Sequence, residues 1–222
     1  MTAIEAFERY ANEYDGWFER NPASYEAELC AIRAALPASG SGLEIGVGTG
    51  RFALPLGIRV GIDPSPAMAA IARARGIEVT IGKAELLPFD AEKFDCALMV
   101  TTICFLDDLG AAFCEAARVL KPGGSLVVGF IDRDSPLGRQ YAARKDRDPF
   151  YRHARFYSVE EVSCQLQQAG FSEPIASQTI FCSPDSISNE QSVKPGYGEG
   201  SFVVLKATKQ TASSQMNPGT KG

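Results

Sequence analysis

The chain of 222 residues carries a formal net charge of −5, with 45 % hydrophobic and 22 % charged residues, so it suits one α/β domain with an appendage and a large core. That charge supplies no basic field for a nucleic-acid backbone, no apolar run reaches the length of a membrane span, and the acidic start (Glu5, Glu8, Glu13) lacks the layout of a signal peptide. The cysteines (Cys30, Cys96, Cys104, Cys114, Cys164, Cys182) contain no C-x-x-C spacing, so no metal site and reduced thiols are expected, in a cytoplasmic protein with no nucleic-acid or membrane partner.

Residues 4–36 read as helical and aromatic, with Phe7, Tyr10, Tyr14, Trp17 and Phe18 in the first half and a break at Asn21-Pro22. The turn of Pro37, Ser39, Gly40 and Gly42 ends this amino-terminal cap, residues 1–42, and launches a strand over 43–47. The glycine turn Glu44-Ile45-Gly46-Val47-Gly48-Thr49-Gly50 follows, and residues 51–57 leave room for only a short helix before a strand at 59–63. Ser65 suits the cap, Pro66 the first position and Gly76 the end of a helix over 67–75. A short strand at 78–81 leads to a buried strand at 94–101, then to a helix from Asp107 or Asp108 to about Leu120. Lys121-Pro122-Gly123-Gly124 turns the chain into another buried strand, 125–131.

A polar, aromatic insertion occupies 132–157. Ser158 and Glu161 match a capping box for a helix that presents Val162, Leu166 and Ala169 on one side and stops at Gly170. Strands at 174–181 and 201–207 flank a loop at 183–200 whose Lys194-Pro195-Gly196-Tyr197-Gly198-Glu199-Gly200 run is either a mobile lid or a long hairpin connection. The polar stretch 208–222 is expected to be disordered.

Strand–helix alternation of this kind predicts an α/β, Rossmann-like doubly wound sheet over 43–207, seven-stranded and mostly parallel with an antiparallel last strand. Ligands in such sheets bind beyond the carboxyl ends of the strands, so the site belongs to the segments after Val47, Asp63, Ile81, Val100 and Ile131.

The glycine turn lets backbone approach a ligand and exposes amide N–H groups. A dinucleotide fingerprint would need glycine at position 51, where Arg51 stands, which counts against a nicotinamide-dependent oxidoreductase. Asp63, closing the next strand, either accepts hydrogen bonds from both hydroxyls of a ribose or stabilises the start of the Ser65 helix.

Residues 43–52, 61–65, 82–89, 94–108 and 117–130 together resemble the class I, Rossmann-like S-adenosylmethionine-dependent methyltransferases of the methyltransferase 11 kind, in element order over residues 10–207. The resemblance implies S-adenosyl-L-methionine as cofactor. Gly46, Gly48 and Gly50 would line its methionine and ribose part, Glu44 would hold its amino group partly through water, and Asp63 would bind the ribose hydroxyls. Pro64, Met68 and Ala84 would border the adenine, and Thr101 would sit near the methionine end. Lys83 stands where many relatives carry an adenine-binding Asp, for which Glu85 is the substitute candidate, and Ile103-Cys104-Phe105 replaces a histidine pair common in relatives.

Methyl transfer from a sulfonium is an in-line displacement that needs alignment and exclusion of water, and a base only for a protonated acceptor. The acceptor is expected to be a small molecule. The far wall of its pocket falls to the cap and the insertion, where Tyr14, Trp17 and Arg155 are the substrate candidates and His153, the chain's one histidine, is the candidate base. Tyr14 and Trp17 equally fit attachment of the cap, Arg155 a surface ion pair, and His153 an exposed site. A non-catalytic cofactor binder and a protein methyltransferase are the alternatives.

Overall fold

The alternating buried runs and capped helices assemble into one sheet in the computed structural model, which describes residues 2–181 and 192–211. Its strands are β1 (Gly42–Ile45), β2 (Val60–Asp63), β3 (Glu78–Ile81), β4 (Phe94–Val100), β5 (Leu120–Ile131), β6 (Ile175–Thr179), β7 (Lys194–Pro195) and β8 (Phe202–Thr208). They lie in the order β3-β2-β1-β4-β5-β8-β6-β7. The first five pair in parallel, and β8 runs antiparallel between β5 and β6. The Rossmann-like doubly wound fold is therefore present. Its eighth strand is the two-residue β7, which pairs with Ser177 and Gln178 at the sheet edge inside the stretch read as a loop.

The helices are α1 (Ala3–Arg9), α2 (Ala11–Arg20), α3 (Pro22–Ala35), α4 (Pro66–Ala74), α5 (Leu109–Val119), α6 (Pro136–Arg144) and α7 (Val159–Gln168). Side chains of a strand alternate between faces, and β4 divides accordingly. Ala97 and Met99 join the core under α5 and α7, while Leu98 and Val100 join the core under α3 and α4. Both faces are thus dry, which is why these strands read as unbroken apolar runs.

Local signals hold where the chemistry is local. The Ser65 hydroxyl accepts the Met68 N–H with Pro66 in the first turn, Asp108 caps α5, and Ser158 with Glu161 forms the capping box of α7. Three expectations change. The cap breaks at Tyr10 as well as at Asn21, giving three helices. Residues 51–57 form turns rather than a short helix, since the segment is confined between Gly50 and Gly57, both with left-handed φ, and is too short to sustain a helix by itself. The insertion contains α6, started by Ser135 and Pro136 in the same way that Ser65 and Pro66 start α4.

Of the tail expected from residue 208, Thr208 closes β8 and Lys209 bridges Phe171; residues 212–222, Cys182 and the loop residues 183–191 lie outside the described residues. Among the described residues the cysteines are free thiols, no acidic, histidine or cysteine cluster could hold a metal ion, and no helix is long and apolar enough to cross a membrane.

Candidate active site

Strand order reverses between β1 and β4, and their carboxyl ends diverge around a cavity of about 280 Å³. Gly46 and Gly48 reach it from the turn after β1, Asp63 and Pro64 from the end of β2, Met68 from α4, Ala84 and Glu85 from the segment after β3, and Thr101 from the end of β4. The backbone at Gly48 has φ +53°, and the nearest atom to a side chain there would be Tyr14 Cε1 at 3.8 Å, so this glycine keeps the wall open. At Gly46 a side chain would collide with Thr102. Gly50 lies outside the lining and instead allows the turn to pack on Ile77 and Ala72.

Asp63 is 7 % exposed. Its Oδ2 accepts the Gly48 N–H at 2.8 Å and its Oδ1 accepts the Ser65 N–H at 2.9 Å, which ties the glycine turn to the start of α4. Burial pushes its carboxyl above the ordinary range, while the two backbone hydrogen bonds oppose that shift. Both readings of Asp63 are thus compatible: it braces a helix start and still faces the cavity.

Glu85 lines the cavity, but its Oε1 accepts the Asp107 and Asp108 N–H groups at 2.9 and 3.3 Å and so braces the start of α5. Lys83, also in the wall, pairs with Asp107 at 2.8 Å. Glu44 is 2 % exposed and outside the lining of either cavity; its Oε2 has no hydrogen-bond partner among the described residues. Burial holds its carboxyl well above the ordinary range.

A second cavity, of about 590 Å³, adjoins the first. Phe7, Tyr14, Thr101 and Phe105 belong to both walls. Thr101 adopts a left-handed φ of +50°, rare for a β-branched residue, where β4 ends between the two spaces. Phe7 packs edge-on against Tyr14 and Phe105, with ring centroids 5.4 and 4.9 Å apart. The larger cavity is enclosed by α2 and α3 of the cap and by α6 with the segment through Tyr151, so the cap and the insertion do form its far wall. Tyr14 and Trp17 face it. His153 and Arg155 do not: both are exposed and absent from both walls, and the Arg155 guanidinium lies over the Tyr157 ring at 4.8 Å.

Tyr141 and Tyr151 of the insertion complete this wall together with Glu28, which nothing in the sequence singled out. Glu28 is 6 % exposed. Burial pushes its carboxyl up to about 8. Burial likewise raises the phenols of Tyr14, Tyr141 and Tyr151, and the charge of Glu28 adds to the rise at each. A glutamate in mid-helix looks like a solvated face; only its apolar neighbours Leu29, Ala31 and Ile32, all buried, hinted that Glu28 lies on the enclosed side of this helix, opposite the exposed Glu26, Arg33 and Ala34.

The cap is fastened to the glycine turn and to the end of α4 by charge. Asp15 on α2 receives Arg51 at 2.9 and 2.6 Å and Arg75 at 2.7 Å on each oxygen. Arg75 also donates to the Thr49 carbonyl at 2.6 Å. Burial opposes ionisation of Asp15, but the hydrogen bonds from the two arginines outweigh it and hold the carboxyl well below the ordinary range. Arg51, the residue that breaks the dinucleotide pattern, is therefore the turn's anchor to the cap. On α1, Glu8 accepts the Ser65 hydroxyl at 2.6 Å and the Ala67 N–H at 2.9 Å.

Residues 43–128 match the family described as "Methyltransferase domain". An uncharacterised protein of Methanocaldococcus jannaschii is 47 % identical over 206 residues, covering 93 % of this chain and all of that one. An uncharacterised Mycobacterium tuberculosis protein is 37 % identical over 220 residues, covering 95 % of this chain and 76 % of that one. Among solved structures, a Thermotoga maritima protein described as a SAM-dependent methyltransferase, possible histamine N-methyltransferase, superposes with a TM-score of 0.91 at 51 % identity, covering 94 % of this chain and 100 % of that one.

Proposed function

This chain belongs to the S-adenosylmethionine-dependent methyltransferases, and we propose that it methylates a small molecule seated in the larger cavity. The observation that carries this reading is the shared wall of Phe7, Tyr14, Thr101 and Phe105, across which an acceptor and the cofactor would meet.

The residues of the smaller cavity suit the cofactor. A buried carboxylate at Asp63 faces the space, Gly48 leaves it unobstructed, and Met68 and Ala84 provide an apolar flank for a planar base. Asp63 would take the ribose hydroxyls, Pro64, Met68 and Ala84 the adenine, and Gly46 and Gly48 the backbone approach. The unpartnered Oε2 of Glu44 lies beneath the turn, where a water would link it to the cofactor's amino group. When bound, S-adenosylmethionine supplies a methyl group on a sulfonium whose departure leaves a neutral thioether.

The chain itself then has to align the acceptor and keep water out. Tyr14 and Phe105 position the acceptor at the junction, and the α2–α3 cap with α6 walls off solvent. The T. maritima protein's description makes a small amine the first acceptor to offer.

Calorimetry with S-adenosylmethionine, S-adenosylhomocysteine, NAD and NADP, followed by labelled-methyl turnover across amines, phenols, thiols and peptides, tests the reading. Binding of a methionine-derived ligand and transfer to a small acceptor are expected. Transfer to peptides alone, or binding of nicotinamide cofactors alone, would overturn it.

A further inference from the structure

Glu28 is the one acidic side chain buried in the wall of the larger cavity, among the described residues, and it makes no hydrogen bond or ion pair there. A carboxylate in such a place is costly unless a ligand supplies the missing partner.

The titratable and charged groups around it divide by depth. Facing it are the phenols of Tyr14 on α2, Tyr141 on α6 and Tyr151, each kept neutral by burial and by the nearby carboxylate. Glu13, Arg20 and Arg144 are exposed at the mouth. Lys145 is occupied at 3.3 Å by the Ala154 carbonyl, and Asp148 accepts the Phe150 and Tyr151 N–H groups at 2.8 and 3.1 Å. No buried cation of the cavity wall, among the described residues, answers Glu28. Trp17, Phe18 and Phe150 supply further ring surface, the kind that attracts a cation and covers an apolar body.

We propose that Glu28 makes the larger cavity a site for a small cationic amine, its carboxylate pairing with the ammonium while the surrounding rings cover the rest of the molecule. The proposal rests on the reading that this cavity holds the methyl acceptor. It identifies the acceptor class as amines and Glu28 as the residue that selects them.

Proton linkage follows from the burial. Glu28 is mostly protonated near neutrality in the empty cavity, with its carboxyl pushed up to about 8. An entering ammonium favours the carboxylate, so Glu28 gives its proton to solvent and nearly one proton is released for each amine bound at pH 7. A neutral molecule of the same shape releases none.

The test uses the full chain saturated with S-adenosylhomocysteine and titrated calorimetrically with phenethylamine, histamine and the neutral isostere 2-phenylethanol, at pH 7 in two buffers of different ionisation enthalpy. At least one amine is expected to bind tenfold or more tightly than 2-phenylethanol with release of close to one proton. Glu28→Gln should lose tenfold or more in amine affinity, and the proton release with it, while keeping its affinity for S-adenosylhomocysteine. Amines that bind no better than the alcohol, or bind Glu28→Gln as well as the unaltered chain, overturn the proposal while leaving the methyltransferase reading intact. Failure of S-adenosylhomocysteine to bind strikes that reading instead. Should Glu28→Gln fail to fold, the proton release of the unaltered chain decides.

Discussion

Replacing Asp63 by Asn separates the two roles of this side chain. The carboxylate accepts the Gly48 N–H at 2.8 Å and the Ser65 N–H at 2.9 Å, and both oxygens retain lone pairs toward the cavity. An amide keeps one acceptor and turns an N–H₂ toward the other backbone N–H, so one backbone donor loses its partner at about 1–3 kcal/mol. Relief of the burial that raises the Asp63 carboxyl offsets part of that, so the fold should survive with a modest fall in Tm. The cofactor loses more. Hydrogen bonds to a charged acceptor contribute roughly 1.5–3 kcal/mol each, and weakening a pair of them without abolishing both removes about 2–4 kcal/mol. At about 1.4 kcal/mol per tenfold, the Kd for S-adenosylhomocysteine should rise roughly 30- to 1000-fold. Calorimetric titration of both proteins measures it directly, with circular dichroism as the check on folding. A Kd within threefold of the unaltered chain, in a folded variant, would refute the assignment of Asp63 to the ribose.

Gly46→Ala should lower stability in urea by about 2–4 kcal/mol, because the added carbon meets the Thr102 side chain on a left-handed backbone, whereas Gly57→Ala, with a similar φ and open space, should cost only about 1 kcal/mol; equal losses would refute the steric account. Asp15→Asn should destabilise by about 2–4 kcal/mol, since it leaves Arg75 without a carboxylate and Arg51 with only the exposed Glu19 at 3.0 Å. The depressed Asp15 carboxyl contributes stability that is present above its ordinary 3.8 and lost as pH falls, so the unaltered chain should lose more than the variant on acidification from pH 4 to 2. Glu28 acts with the opposite sign. Its carboxyl rises on folding from 4.5 to about 8, so the folded state holds the extra proton and stability declines as pH rises from 4.5 through 8, by at most about 5 kcal/mol at 1.36 kcal/mol per unit. Urea unfolding at pH 5 and 9 should show a smaller decline in Glu28→Gln than in the unaltered chain, since the variant keeps the raised carboxyls of Glu44 and Asp63 but not that of Glu28; identical profiles would place Glu28 in contact with water.

How far the fold was legible follows from the range of the forces involved. Caps act over three residues, and Ser65-Pro66 and Ser158-x-x-Glu161 announced their helices without help. Ser135-Pro136 carried the same signal for α6, but the charged, aromatic sequence after it masks the helix by offering no clean apolar stripe. The break at Tyr10 has no cap side chain to announce it and reflects α1 folding back over the smaller cavity, where Glu8 reaches Ser65.

The sequence alone determined the doubly wound sheet and the place of the cavity proposed for the cofactor, since strand runs buried on both faces, the glycine turn and the acid closing β2 are local features with a set order. It also carried the family. Tertiary structure decided which polar side chains line the larger cavity. His153 and Arg155 look chemical in sequence and end in solvent, whereas Glu28 looks like an exposed helix face and ends in a cavity wall. The reason is physical: burial of α3 comes largely from β5, β6 and β8, elements distant in the chain, and a carboxyl's charge state follows from the company that packing gives it.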